Sequence, residues 1–89
     1  MSGMNDHDVV ASYQESDYNH VLRIGRGENV FQLTQSKKGY GMVVIADESC
    51  GEEVERYYAL DMAIGDVAER LGVPVDSISI PEAAQAMGI

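Results

Sequence analysis

This chain of 89 residues sets 15 Asp and Glu against 6 Lys and Arg, a net charge of -9, with 45% hydrophobic residues. That size makes one domain with a modest core, and it leaves no room for a deeply enclosed active site as well. The charge argues against nucleic acid, whose phosphates demand clustered bases, while the hydrophobic content is too high for a wholly disordered acidic chain.

Residues 1–7 are polar and expected to fray, so a single domain over residues 8–89 is expected. Four segments then alternate with period two, the pattern of half-buried antiparallel strands. In residues 9–14, Val9, Ala11 and Tyr13 share a face. In residues 18–24, Tyr18, His20, Leu22 and Ile24 do so, and in residues 30–35 Phe31 and Leu33 do. Residues 40–47 form the fourth and most hydrophobic segment. The connections are short and polar and two of them carry glycine, which suits hairpins and leaves no length for parallel crossovers.

After Gly51 the period changes. Tyr57, Leu60, Ile64, Val67 and Leu71 recur at spacings of three and four, which predicts an amphipathic helix over residues 52–71. Glu52, Glu53 and Glu55 would occupy its first turn and Arg70 its last, both favoured by the macrodipole. Gly72 suits the residue just past the end, and Pro74 prevents continuation. Residues 78–80 read as a short strand or an extended linker. Pro81 then opens a short second helix over residues 81–87, with Ala83, Ala84 and Met87 as its apolar side. The expected fold is α+β: a four-stranded antiparallel meander packed against one long amphipathic helix, plus a short C-terminal helix.

Two places carry more apolar surface than this plan needs. The fourth strand is apolar on both faces, with Met42, Val44 and Ala46 on one and Val43 and Ile45 on the other. On the helix, Tyr58 and Met62 lie roughly 100° from the centre of the core stripe. Either the C-terminal helix covers them in a closed monomer, or they meet a second subunit or a protein partner. The candidate interaction surface is Val43, Ile45, Tyr58 and Met62, with Met87 and Ile89 covering or extending it.

No residue set stands out as catalytic, and no cofactor or metal motif is present. Cys50 sits among acids that oppose thiolate formation. The acids around it do not match a calcium loop, and no paired Cys or His spacing suits zinc. The glycines of Gly25-Arg26-Gly27 and Gly39-Tyr40-Gly41 complete no phosphate-binding pattern. Asp61, on the flank of the stripe, is a candidate ligand-site residue with Tyr57 and His20. Arg23, Arg26, Lys37 and Lys38 could gather at one end of the sheet, a thin footprint for nucleic acid.

The run Arg56-Tyr57-Tyr58-Ala59-Leu60-Asp61-Met62-Ala63 and the ending Ile80-Pro81-Glu82-Ala83-Ala84-Gln85-Ala86-Met87-Gly88-Ile89 resemble small acidic proteins of haloarchaea, a family of unknown function. The resemblance covers the C-terminal third. It implies a salt-adapted cytoplasmic setting and assigns no functional residue. A single cysteine, no apolar run of about 18 residues and no signal-peptide pattern in residues 1–8 agree with that location. The expectation is a non-enzymatic interaction or regulatory module that self-associates as a dimer or docks on a protein partner. A small ligand-binding protein or minor enzyme is the alternative, and a nucleic-acid-associated regulator comes after it.

Overall fold

The computed structural model describes residues 8–38 and 41–88. The frayed segment expected over residues 1–7 falls outside these, as do Gly39, Tyr40 and Ile89. Five strands, not four, form one antiparallel sheet: β1 (Val9–Glu15), β2 (Asn19–Arg26), β3 (Asn29–Ser36), β4 (Val43–Asp47) and β5 (Glu52–Tyr57). Their spatial order follows chain order. A single α-helix, α1 (Leu60–Leu71), packs on one face, and the tail adds a 3-10 turn (Val75–Ser77) and a 3-10 helix (Glu82–Met87).

Each described hairpin has a local cause. Between β1 and β2, the Ser16 hydroxyl oxygen accepts the N–H groups of Tyr18 and Asn19, at 3.3 and 3.1 Å. Between β2 and β3, Arg26 pairs with Asn29 and leaves the two-residue loop Gly27-Glu28. Gly27 has φ 61°, as a glycine-first hairpin turn requires.

The turn between β4 and β5 overturns the expectation of a helix from residue 52. Asp47 accepts hydrogen bonds from the Ser49 N–H at 2.9 Å and hydroxyl at 2.8 Å, and its carbonyl accepts the Gly51 N–H at 2.7 Å. With Gly51 at φ 74°, the chain folds back and residues 52–57 run along β4 as a strand. Glu52, Glu53 and Glu55 therefore lie on a sheet edge, and the acid of the helix's first turn is Asp61. Cys50 is exposed in the turn, away from any helix terminus.

This extra strand accounts for the burial of one face of β4; Val44 and Ala46, on the other face, stay half-buried. Val43 and Ile45 have no solvent exposure, because β3 and β5 flank them and α1 lies over their face. Both had the pattern of a partner-facing pair; both belong to the core and are closed to a partner. Met87 covers rather than extends: the C-terminal 3-10 helix turns it into the core beside Ala84, on the apolar side expected of it. Ala83, expected beside them, is exposed. From the sheet come Leu22, Ile24, Phe31 and Leu33, and from α1 the stripe Leu60, Ile64, Val67 and Leu71. Residues 78–80 are an extended linker, with Ile78 buried.

The helix ends at Gly72, at φ 71°, whose N–H returns to the Glu69 carbonyl. The guanidinium of Arg26 donates to the Leu71 carbonyl at 2.8 Å. A carbonyl left orphaned by the helix is thus satisfied by a charge favoured at that terminus, and the end of β2 is tied to the end of α1. Truncating a fully buried aliphatic side chain costs about 2–5 kcal/mol. Ile45→Ala is expected to lower unfolding free energy by that amount in urea titrations, whereas Glu52→Ala, at an exposed position of β5, would show almost no change.

Candidate functional site

The ends of β2 and β3, the link from β5 to α1 and the C-terminal 3-10 helix meet at one end of the sheet. They border an open groove of about 420 Å³, lined by His20, Gln35, Ser36, Lys37, Gly41, Tyr58 and Ala86. Gly41 fits closely there. A Cβ at that position would stand 3.0 Å from both the N and O of Ser36, so any larger residue would need the end of β3 to give by a few tenths of an ångström.

On one wall, Tyr13 Oη and His20 Nδ1 are 2.6 Å apart and their rings stack at 6.0 Å. Whichever atom carries the shared proton, Nδ1 is occupied and Nε2 has no partner among the described residues. Lys37 Nζ donates to Glu15 Oε2 at 2.6 Å, and this bond and charge hold the Glu15 carboxyl below its ordinary value. On the rim stands Tyr58, which is 85% exposed, with Met62 four residues on at 55%. Nothing in the described chain covers either ring or thioether. Of the residues expected to form an interaction surface, these two are exposed, and Ile89 lies outside the described residues.

The expected ligand trio of Asp61, Tyr57 and His20 is not brought together. Asp61 is exposed at the start of α1, where its carboxylate accepts the Met62 N–H at 2.9 Å. Tyr57 turns instead to Asp66, donating to Oδ2 at 2.6 Å, while Arg70 Nε donates to Oδ1 at 2.6 Å. This cluster staples β5 to α1. Burial alone would raise the Asp66 carboxyl, but the bonds from Tyr57 and Arg70 outweigh it and hold the group below its ordinary value. The same bond, with partial burial and the Asp66 charge, pushes the Tyr57 hydroxyl up to about 12. A hydroxyl that hard to ionise, facing an occupied carboxylate, is a structural strut rather than an acid–base pair. The Asp66–Arg70 spacing of four was legible in the sequence as a helical ion pair; the long reach from Tyr57 was not.

The bases do not gather. Arg23 clasps Glu48 with both guanidinium arms, one at 2.9 Å, and Gln32 joins at 2.9 Å. Chiefly through the Arg23 bond and then Gln32, the Glu48 carboxyl falls to about 2. Arg26 is committed to Leu71 at the opposite end of the sheet from Lys37. Among the described residues no three of His, Cys, Asp and Glu converge to hold a metal ion, and no helix is long and apolar enough to cross a membrane.

Residues 3–89 match the profile of DUF7111, a family of unknown function, and the chain belongs to that family. The match runs through nearly the whole chain, well beyond the C-terminal third. Neither a curated protein nor a solved structure matches it.

Because Tyr57 is harder to ionise folded than unfolded, its contribution to stability is complete below pH 10 and is lost as pH rises from about 10 to about 12. The Asp66 contribution runs the other way, present above the ordinary aspartate range and lost as pH falls through its lowered value. In Asp66→Ala, ultraviolet titration should show the late tyrosine ionisation moving down toward that of an ordinary phenol. An unmoved late ionisation would mean that Asp66 does not hold Tyr57.

Proposed function

We propose that this protein is a non-enzymatic interaction module of a salt-adapted cytoplasm that receives a protein partner on the surface around Tyr58 and Met62. The observation that carries this reading is the exposure of both side chains, 85% and 55%, with Tyr58 lining an open groove, in a chain of net charge -9. An exposed tyrosine offers a large rigid contact area with a polar tip, and a methionine beside it adapts to the shape of a partner. The groove gives a partner side chain somewhere to seat, and such anchoring supplies most of the energy of an interface. No step of catalysis is needed to explain the groups present: the polar clusters at Asp66, Glu48 and Asp47 each satisfy a local structural demand.

A second reading rests on the groove itself. His20 and Lys37 line it, with Gln35 and Ser36, while no carboxylate among the described residues does. A small anion is the ligand chemistry that such a lining would accept. Glu15, already bound to Lys37, competes for the same charge, which is why the protein-docking reading is preferred.

The test is a pair of variants. Tyr58→Ser combined with Met62→Glu replaces two exposed side chains, so unfolding free energy should stay within about 0.5 kcal/mol of wild type. Cross-linked capture from the native cell should lose the proteins that the wild type retains. Equal capture by both, with the fold intact, would remove Tyr58 and Met62 from the interface.

A further inference from the structure

The sheet has two edges, and they are built differently. At one, β5 carries charge on four of its six residues, Glu52, Glu53, Glu55 and Arg56, and its pairing with β4 shifts register at Ile45/Ala46. Charges and bulges are how sheets keep an edge from recruiting another strand. At the other, β1 has neither device. Val9 through Gln14 include no charged residue and no proline, and the pairing with β2 runs unbroken over seven positions. Its one charge, Glu15, closes the strand and is paired with Lys37. In a chain with 15 acids, six successive strand residues without a charge stand apart from the rest of the surface.

We propose that the β1 edge, from Val10 to Gln14, is a homodimer interface on which a second copy of this chain lays its own β1 antiparallel. The result is one continuous sheet of ten strands, five from each copy. A two-fold axis at Ser12 opposes Ala11 to Tyr13 and Val10 to Gln14. Inner-face residues then meet inner-face residues, because side chains alternate along each strand. That matters for cover. Helix α1 lies on β2 to β5, and Ala11 and Tyr13 remain only partly buried at the flank of the core. A second copy continues the apolar layer past them. On the outer face it also meets Val10, which is 70% exposed.

The occupant is a second copy because of charge. In this register no carboxylate of one β1 faces a carboxylate of the other. The second copy's β5 would instead bring Glu52, Glu53 and Glu55 to the contact. Isologous pairing of one patch with itself is also the commonest route to a closed assembly. Two bodies of charge -9 still repel at a distance, so the dimer tightens with salt as the Debye length falls from about 10 Å at 0.1 M to about 3 Å at 1 M.

This contact is separate from the Tyr58 surface, and one set of measurements distinguishes them. Absolute mass by light scattering should be twice that of the chain in about 1 M KCl, where exposed charges are screened, and should fall toward that of the chain in dilute buffer. Val10→Lys with Ser12→Lys, both at exposed positions, should give a folded monomer throughout, while Tyr58→Ser with Met62→Glu should stay dimeric. A wild type that is monomeric at every salt concentration overturns the inference, and so does a dimer that survives the two lysines or is lost in the Tyr58/Met62 variant instead. Should the lysine variant fold poorly, Ser12→Cys in a Cys50→Ser background decides the matter. Directly opposed antiparallel residues stand about 4.5–5.5 Å apart at Cα, within disulfide reach. Oxidation with diamide should therefore link two chains through position 12, and absence of the linked dimer counts against the pairing.

Discussion

Burial of Val43 and Ile45 is the constraint on which the rest of the molecule turns. Neither is reached by solvent, and each needs three neighbours to be so: β3 on one side, β5 on the other and α1 above. Remove the return of the chain at Gly51 and β4 becomes an edge with its apolar side chains half uncovered. The Asp47 turn and the Tyr57–Asp66–Arg70 cluster serve that burial. The turn lays β5 down beside β4, and the cluster holds the far end of β5 to the helix.

Much of this was legible in the residues themselves. The inward faces of β1, β2 and β3 alternate as the sequence alternates, and Leu22, Ile24, Phe31 and Leu33 are buried as that pattern predicts. Leu60, Ile64, Val67 and Leu71 face the core, and Gly72 ends the helix in the left-handed conformation expected of it. The start of the helix was misread for a definable reason. Followed backward from Leu60 at spacings of three, the helical stripe reaches Tyr57 and then Val54, so the apolar pattern runs on past the true start of the helix. Meanwhile Asp47 and Glu52 pair across the four-residue loop 48–51 in the manner of a hairpin. Local propensity in a segment of glutamates favours a helix weakly, and pairing with β4 overrides it.

The site followed a similar division. Tyr58 and Met62 stand off the core stripe in sequence and off the core in space, because no other described element passes over the start of α1. Asp61 and Tyr57 were paired on the assumption of a continuous helix; once Tyr57 belongs to β5 it faces a later turn of α1, where Asp66 waits. Tertiary contacts of this kind, between a strand end and a helix one loop later, leave no periodic trace. The groove at His20 was equally hidden, since it joins residues from three separate elements and two connecting segments, among them Gly41, which reads in sequence as an ordinary loop residue.

The neighbour-to-neighbour order of the strands bears on how the molecule comes into being. Every strand pairs with the one made just before it, so each closure spans a short loop, and low contact order of this kind makes for fast folding. As the chain leaves the ribosome the sheet can be laid down one hairpin at a time. Its roof arrives late, because α1 and the tail helix both follow the last strand. During that interval the apolar layer of Leu22, Leu33 and Ile45 faces water on a nascent chain. The acids that surround it, already in place on β5 and in the turns, then act as a solubilising fringe for an unfinished protein.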